Sequence, residues 1–266
     1  MMTLKSISPG LLLFLVIALS PNAAATGSDA AKEARWAEQV VDSLLDGDEL
    51  WLDDGSGHEF LGILTAAATE SRPAVVLLHG IGVHPNWPDI IYPLRTGLFE
   101  RDVTTLSIQM PILANEADPR DYAPLFAEVP GRIDAALQAL HAAGYRDLTL
   151  VAHSLGAAMA VYYLSQASSN SFDSLVIIGM SPGLEGMENI ERLQKLALPV
   201  FDLYGGNDLE AVLATTGQRA QAGERSGAEY RQLQVPAANH FFQGNEAELV
   251  QQVFDWIEAH PGKQGG

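Results

Sequence analysis

Beginning at Ala74, short strand-like stretches recur, the first of them an uninterrupted apolar run, each followed by a segment with helical spacing, and this alternation leaves few architectures open. The stretches are "AVVLLHG", "VTTLSIQM", "LTLVAH", "SLVIIGM" and "PVFDLYG", and "EYRQLQV" closes the series. A strand that is apolar at every position is buried on both faces, as in a parallel sheet covered by helices. The intervening segments predict helices near Ile90–Glu100, up to about Ala143, from Leu155 to about Ser168, around Ile190–Leu196, from Asp208, and through "EAELVQQVFDWIEAH". Strand and helix alternate throughout, so the expected fold is α/β, a mostly parallel central sheet with helices on both faces.

Ahead of this series, "ELWLDD" and "HEFLGILTAA" flank a "GSG" turn and predict a hairpin, an antiparallel edge on the sheet. "AKEARWAEQVVDSLLDG" predicts a helix with Trp36, Val40, Leu44 and Leu45 on one face. The first residues have the layout of a secretory signal peptide: Lys5, an apolar run from Leu11 to Leu19, then Ala23 and Ala25 as an A-x-A site. That run is too short to span a bilayer as a helix. The expected division is therefore a signal peptide over 1–25, a helical segment over 26–47 and one folded domain over 48–262, the protein being exported to a bacterial periplasm or beyond. Cleavage after Ala25 would leave 241 residues, enough for one large core.

Composition narrows the chemistry. The chain has no cysteine, so it uses neither thiol nucleophiles nor thiolate metal sites. Its 33 acidic and 15 basic residues give a net charge of −18, which repels phosphate backbones and argues against nucleic-acid partners. His84 and Asp89 lack a third metal ligand at sensible spacing, and no metal or organic cofactor is expected.

Two serines compete as nucleophile. "GMSPG", residues 179–183, matches G-x-S-x-G letter for letter, while "AHSLG", residues 152–156, has Ala152 in the first position. A nucleophile on a strand-to-helix turn needs a donor N–H on the next residue for the developing oxyanion. Ser181 is followed by Pro182, which has none. Ser154 is followed by Leu155, with Gly156, Ala157, Ala158 and Ala160 opening a slender helix. These requirements select Ser154; a helix N-cap is the alternative role.

Three further stretches supply partners. "LLHGIG", residues 77–82, ends the first buried strand and offers a second oxyanion donor, the N–H of Ile81 or of Gly82. "YGGNDLE" places Asp208 at a strand's carboxyl end, where catalytic groups gather in open α/β sheets; Asp202 and Glu210 are its rivals. "AANHFF" places His240 in the loop before the closing helix, as a base for Ser154. The order Ser154, Asp208, His240 is that of the α/β-hydrolase superfamily. With "LLHGIGVHPNWPDIIYPLR", "LVAHSLGAAMAVYYL" and "NHFF", the chain resembles an uncharacterised group of exported bacterial members of that superfamily, from about residue 48 to 260. The resemblance implies the fold and a serine-hydrolase chemistry, and little about substrate.

The expected activity is that of a carboxylesterase working through an acyl-enzyme on Ser154, with His240 as base and Asp208 as its orienting acid. A catalytically silent envelope-binding protein and an amide or peptide hydrolase are the alternatives. Only about 18 residues separate "SLVIIGM" from "PVFDLYG", too few for a large cap domain, so "PILANEADPRDYAPLF" is the remaining candidate cover. An open site suits short acyl esters or acyl groups on a polymer. "HPNWP" is expected to wall one side, with Trp87 as an apolar surface. His153 is expected to pack against the loop at residue 79, His79 to bond backbone, and His58, His141 and His260 to lie at the surface.

Overall fold

The computed structural model describes residues 27–68, 73–166, 171–183 and 187–262; the signal-type segment over 1–25 lies outside them. In chain order the described elements are α1 (Ala30–Asp42), β1 (Asp48–Asp53), β2 (Glu59–Thr65), β3 (Ala74–Leu78), α2 (Ile91–Phe99), β4 (Thr104–Ile108), a 3-10 segment (Pro119–Ala127), α3 (Val129–Ala142), β5 (Leu148–His153), α4 (Leu155–Gln166), β6 (Ser174–Ile178), α5 (Asn189–Leu193), β7 (Val200–Asn207), α6 (Glu210–Leu213), α7 (Thr216–Ser226), β8 (Tyr230–Asn239) and α8 (Glu246–Ala259). The strands form one sheet in the order β1-β2-β4-β3-β5-β6-β7-β8. β4 through β8 and β3 pair in parallel, whereas β1 with β2 and β2 with β4 are antiparallel.

The apolar runs are buried because the sheet has a core on each side. Successive side chains on a strand point to opposite faces. Val76, Leu78, Leu150, Ala152, Leu175 and Ile177 accordingly join α3 and α4 in one cluster. Val75, Leu77, Val151, Val176 and Ile178 join α2 and α8 in the other. α1 makes a smaller third layer, with Ala37 and Val40 against Leu61 and Ile63 of β2.

Several local expectations need correction. α1 stops at Asp42, capped when the Ser43 N–H and hydroxyl turn back to Val40 and Gln39 carbonyls, and the chain bends at Gly47 with φ +82°. Leu45 therefore leaves the apolar face and is 90% exposed. No helix starts at Asp208; α6 begins two residues later, and α7 follows as a separate helix. His58 is half-buried, its Nε2 lying 3.0 Å from Glu33 Oε2. His260 stacks on Trp256 at 3.7 Å between centroids, with Nε2 3.2 Å from Glu229 Oε2. The stretch after β4 is core rather than cover: Tyr122, Leu125 and Phe126 of the 3-10 segment are buried in the α3/α4 cluster.

Candidate active site

The carboxyl ends of β3, β5, β7 and β8 converge on one cavity. At the end of β5 the chain must reverse into α4 within one residue. Ser154 makes that turn with φ +54°, in the left-handed region that side-chain-bearing residues avoid. α4 can approach because of Gly156, where a Cβ would overlap the His79 carbonyl oxygen. Ala152, in place of the usual glycine, is fully buried and fits without displacing the turn.

β7 and β8 bring Asp208 and His240 together. Their carboxyl ends lie so close that a Cβ at Gly205 would overlap the Ala238 carbonyl, and one at Gly206 the Pro236 carbonyl. The pairing shifts register between Gly205 and Asn207, which turns Asp208 toward the end of β8. There Asp208 Oδ1 lies 2.6 Å from His240 Nδ1, and His240 Nε2 lies 3.1 Å from Ser154 Oγ. With the carboxylate as acceptor, Nδ1 carries the proton, so Nε2 is free to accept from the serine hydroxyl. Burial opposes ionisation of Asp208. Hydrogen bonds from His240 and from the N–H groups of Gly205 and Leu209 outweigh it and hold the carboxyl below the usual range. Asp202 is committed elsewhere, buried and bonded to Arg219 at 2.7 Å and Tyr230 at 2.6 Å; Glu210 is exposed.

Two other histidines shape the site as neutral rings. His153 Nε2–H donates to the His240 carbonyl at 3.0 Å, and its ring packs where a Cβ on Gly80 would lie 3.1 Å from its Nδ1. His79 accepts the Met110 N–H at Nε2, 2.9 Å, and donates from Nδ1 to the Gly80 carbonyl, 2.8 Å. Burial pushes each of them down to about 3. The sequence anticipated His153 beside the loop at residue 79 and His79 bonded to backbone. It gave no sign of the bond from His153 to the His240 carbonyl.

The cavity above Ser154 and His240 is about 260 Å³. Ile81, Val83 and Trp87 from the β3–α2 connection and Ile91 at the start of α2 line it, together with Leu209 and Phe241. Asp89 is its one carboxylate among the lining residues, and its Oδ1 accepts from Gln243 at 3.1 Å. Ile81, Leu209 and Phe241 are exposed at 39%, 51% and 41%, so the mouth is apolar and open. Of the expected oxyanion donors, Ile81 lines the cavity and Leu155 opens α4, next to Ser154; Gly82 sits behind Ile81 with φ +67°. Trp87 and His153, expected at the substrate, both line it. Sequence reasoning missed Val83, Asp89, Ile91, Leu209 and Phe241. "NHFF" and "DLE" held the only hint, an apolar residue directly after each polar one.

Ser181 is not among the cavity's lining residues; its carbonyl accepts from Asn189 Nδ2 at 3.1 Å. The glycine that completes its motif has another use. Gly179 has φ +59°, and a Cβ there would lie 3.0 Å from the His240 ring and 3.4 Å from Asp208 Oδ2. A larger cleft of about 390 Å³, lined by Asp134, His141, Arg146 and Asp173 among others, lies on the α3 side, away from Ser154. Among the described residues no cluster of histidines and carboxylates could hold a metal ion, and no helix is long and apolar enough to cross a membrane.

Sheet order, helix placement and the elbow at the end of β5 define an α/β-hydrolase fold. The chain belongs to the family described as "Protein of unknown function (DUF3530)", which matches residues 11–130 and 126–259. A comparison with curated proteins finds no match. Among solved structures the fold is similar to Est1E from Butyrivibrio proteoclasticus with ferulic acid bound, at 14% identity, TM-score 0.63, over 79% of this chain and 98% of that one. It is similar to dienelactone hydrolase from Anabaena variabilis, at 19% identity, TM-score 0.63, over 81% and 99%. It is also similar to XC6422 from Xanthomonas campestris, a serine hydrolase without lid, at 15% identity, TM-score 0.62, over 83% and 98%.

Proposed function

We propose that the protein is a serine hydrolase, a carboxylesterase with Ser154 as nucleophile, His240 as base and Asp208 as the acid that orients it. The observation that carries the reading is the relay from Asp208 to His240 at 2.6 Å and on to Ser154 at 3.1 Å, at the floor of an apolar cavity. In the first step Ser154 Oγ adds to the ester carbonyl carbon as its proton passes to His240 Nε2. The carbonyl oxygen becomes an oxyanion, held by the N–H groups of Leu155 and Ile81. Collapse expels the alkoxide, which takes the proton from His240. Water, deprotonated by the same nitrogen, then releases the acid from Ser154.

The cavity volume, about 260 Å³, is below the span usual for drug-sized ligands and favours a short or compact acyl group. Ferulic acid, bound to Est1E from Butyrivibrio proteoclasticus, is a compact acid of that kind. Asp89 in the lining and the net charge of −18 disfavour an anionic acyl group. Esters of short acids or acyl groups carried on a polymer fit such an open mouth.

A fluorophosphonate probe tests the reading directly. Wild-type protein and Ser181→Ala should label, and Ser154→Ala should not. Absence of wild-type labelling would favour a silent binding protein, and turnover of amides above esters would favour the peptide-hydrolase alternative. We also propose export, on the signal-type layout of residues 1–25. The amino-terminal residue of protein recovered from cell fractions checks it.

A further inference from the structure

Ile81 is one of the two oxyanion donors in the proposed reaction, yet it sits on a loop and is 39% exposed. Something must fix its N–H. The amide of Ile81 shares one trans peptide with the Gly80 carbonyl, and in a trans peptide C=O and N–H point in opposite directions. His79 Nδ1–H binds that carbonyl at 2.8 Å, so it sends the Ile81 N–H the other way, off the ring of His79.

His79 is itself held from a distance. Gln109 Nε2 donates to the Met110 carbonyl at 2.7 Å and lies 3.0 Å from His79 Nε2 and 3.4 Å from the carbonyl of Val83, a cavity residue, so it ties the His79 ring to the chain at Met110. The backbone carbonyl of Gln109 accepts from Arg132 Nη1 at 3.1 Å. Arg132 is fully buried on α3 and grips Glu33 of α1 through two bonds, Nη1 to Oε2 at 2.8 Å and Nη2 to Oε1 at 3.1 Å. Glu33 is 4% exposed. Attachment of α1 to the sheet does not call for this arrangement, since Ala37 and Val40 already pack on Leu61 and Ile63. A buried ion pair is also a poor stabiliser, because both charges surrender their hydration and an apolar pair often does as well. Its use is geometric, to place a polar group in one position.

We propose that Glu33 and Arg132 are positioning residues for the oxyanion loop, acting from the amino-terminal helix through Gln109 and His79 on the Gly80–Ile81 peptide. The proposal rests on the hydrolase reading for its effect on rate, but the coupling itself can be read without turnover. In full-length protein, Glu33→Gln keeps the size of the side chain and removes its charge. Gln109→Met breaks the next link while leaving the ion pair whole, and it serves if Glu33→Gln does not fold. Tyr230→Phe is the control: it removes a part-buried hydrogen bond to Asp202, outside this chain of contacts.

Two measurements are made on each: the amide 1H–15N signals of Gly80, Ile81 and Gly82, and kcat and KM on a short-chain ester. Both test variants should move the Ile81 signal and lower kcat by about tenfold or more, a fraction of the effect of deleting an oxyanion donor outright. KM should stay within about twofold, since ground-state binding is not the function of that donor. The control should change neither. Folded test variants with an unshifted Ile81 amide and wild-type kcat would overturn the proposal, as would an equal loss of kcat in Tyr230→Phe. Should the wild type hydrolyse no ester and take no probe, the hydrolase reading fails and the Ile81 signal alone decides the coupling.

Discussion

Ser154 is held at φ +54° by its surroundings. A left-handed conformation costs a residue with a Cβ about 1–2 kcal/mol, and glycine escapes that cost. Ser154→Gly should therefore melt above Ser154→Ala, by the equivalent of about 1 kcal/mol, with both inactive; calorimetry on the two variants measures the difference. Equal melting temperatures would mean that the elbow is not strained. Strain of this kind accumulates where function needs a side chain presented rather than packed. Asp208 shows the same economy: one oxygen meets His240 while Gly205 and Leu209 N–H groups bind the carboxylate. A carboxylate so held stays ionised and keeps the imidazole in the tautomer that can accept from serine.

At the scale of elements, the site depends on close approaches of backbone. Gly156 lets α4 lie against the end of β3, and Gly156→Ala should cost about 1–3 kcal/mol by overpacking and lower the rate by displacing Ser154, with denaturation and ester turnover as the two measurements. Retention of both at wild-type level would show that α4 has slack. The sequence marks these approaches unevenly. The alternation of apolar runs revealed the sheet and both helical layers, because burial on two faces leaves an unbroken pattern. Ser154, which lies beside His240, was preferred over Ser181 because proline lacks a proton, a local fact. Ile81, Asp208 and His240 were legible from their positions at strand ends. Leu209 and Phe241 were not, since a cavity wall is assembled from loops distant in sequence and any apolar residue can serve. Gly179 was misleading for a related reason. Its contact is with His240, 61 positions away, and "GMSPG" therefore spells a nucleophile motif for a packing purpose. The bond from Arg132 to Glu33 spans 99 residues and has no local signature.

The molecule as a whole should be sensitive to acid in a definite way. His79 and His153 are held neutral in the folded protein, near 3 against an ordinary 6.5. Above pH 6.5 neither state binds these protons, and the two rings cost folding nothing. Below it the unfolded chain takes them up first, so stability falls as pH drops toward about 3, by about 1.4 kcal/mol per pH unit for each ring. Asp208, depressed in the fold, adds a loss of the same sign at the acid end of that window. Urea midpoints taken from pH 7 to pH 4 measure the slope, and a midpoint that is flat over the range would show that the two rings admit protons in the native state. Replacing both histidines with residues that do not titrate should remove most of the slope and leave the smaller contribution of His84, which burial holds down to about 4.

Ile81, Leu209 and Phe241 leave a greasy opening at the surface, the kind of patch through which molecules adhere to one another. A cap domain would hide it. Every copy carries eighteen excess negative charges, and their mutual repulsion opposes the meeting of two such openings. That acidity acts as a colloidal defence as well as a repulsion of other polyanions. The same field would repel a ligand that brings negative charge of its own.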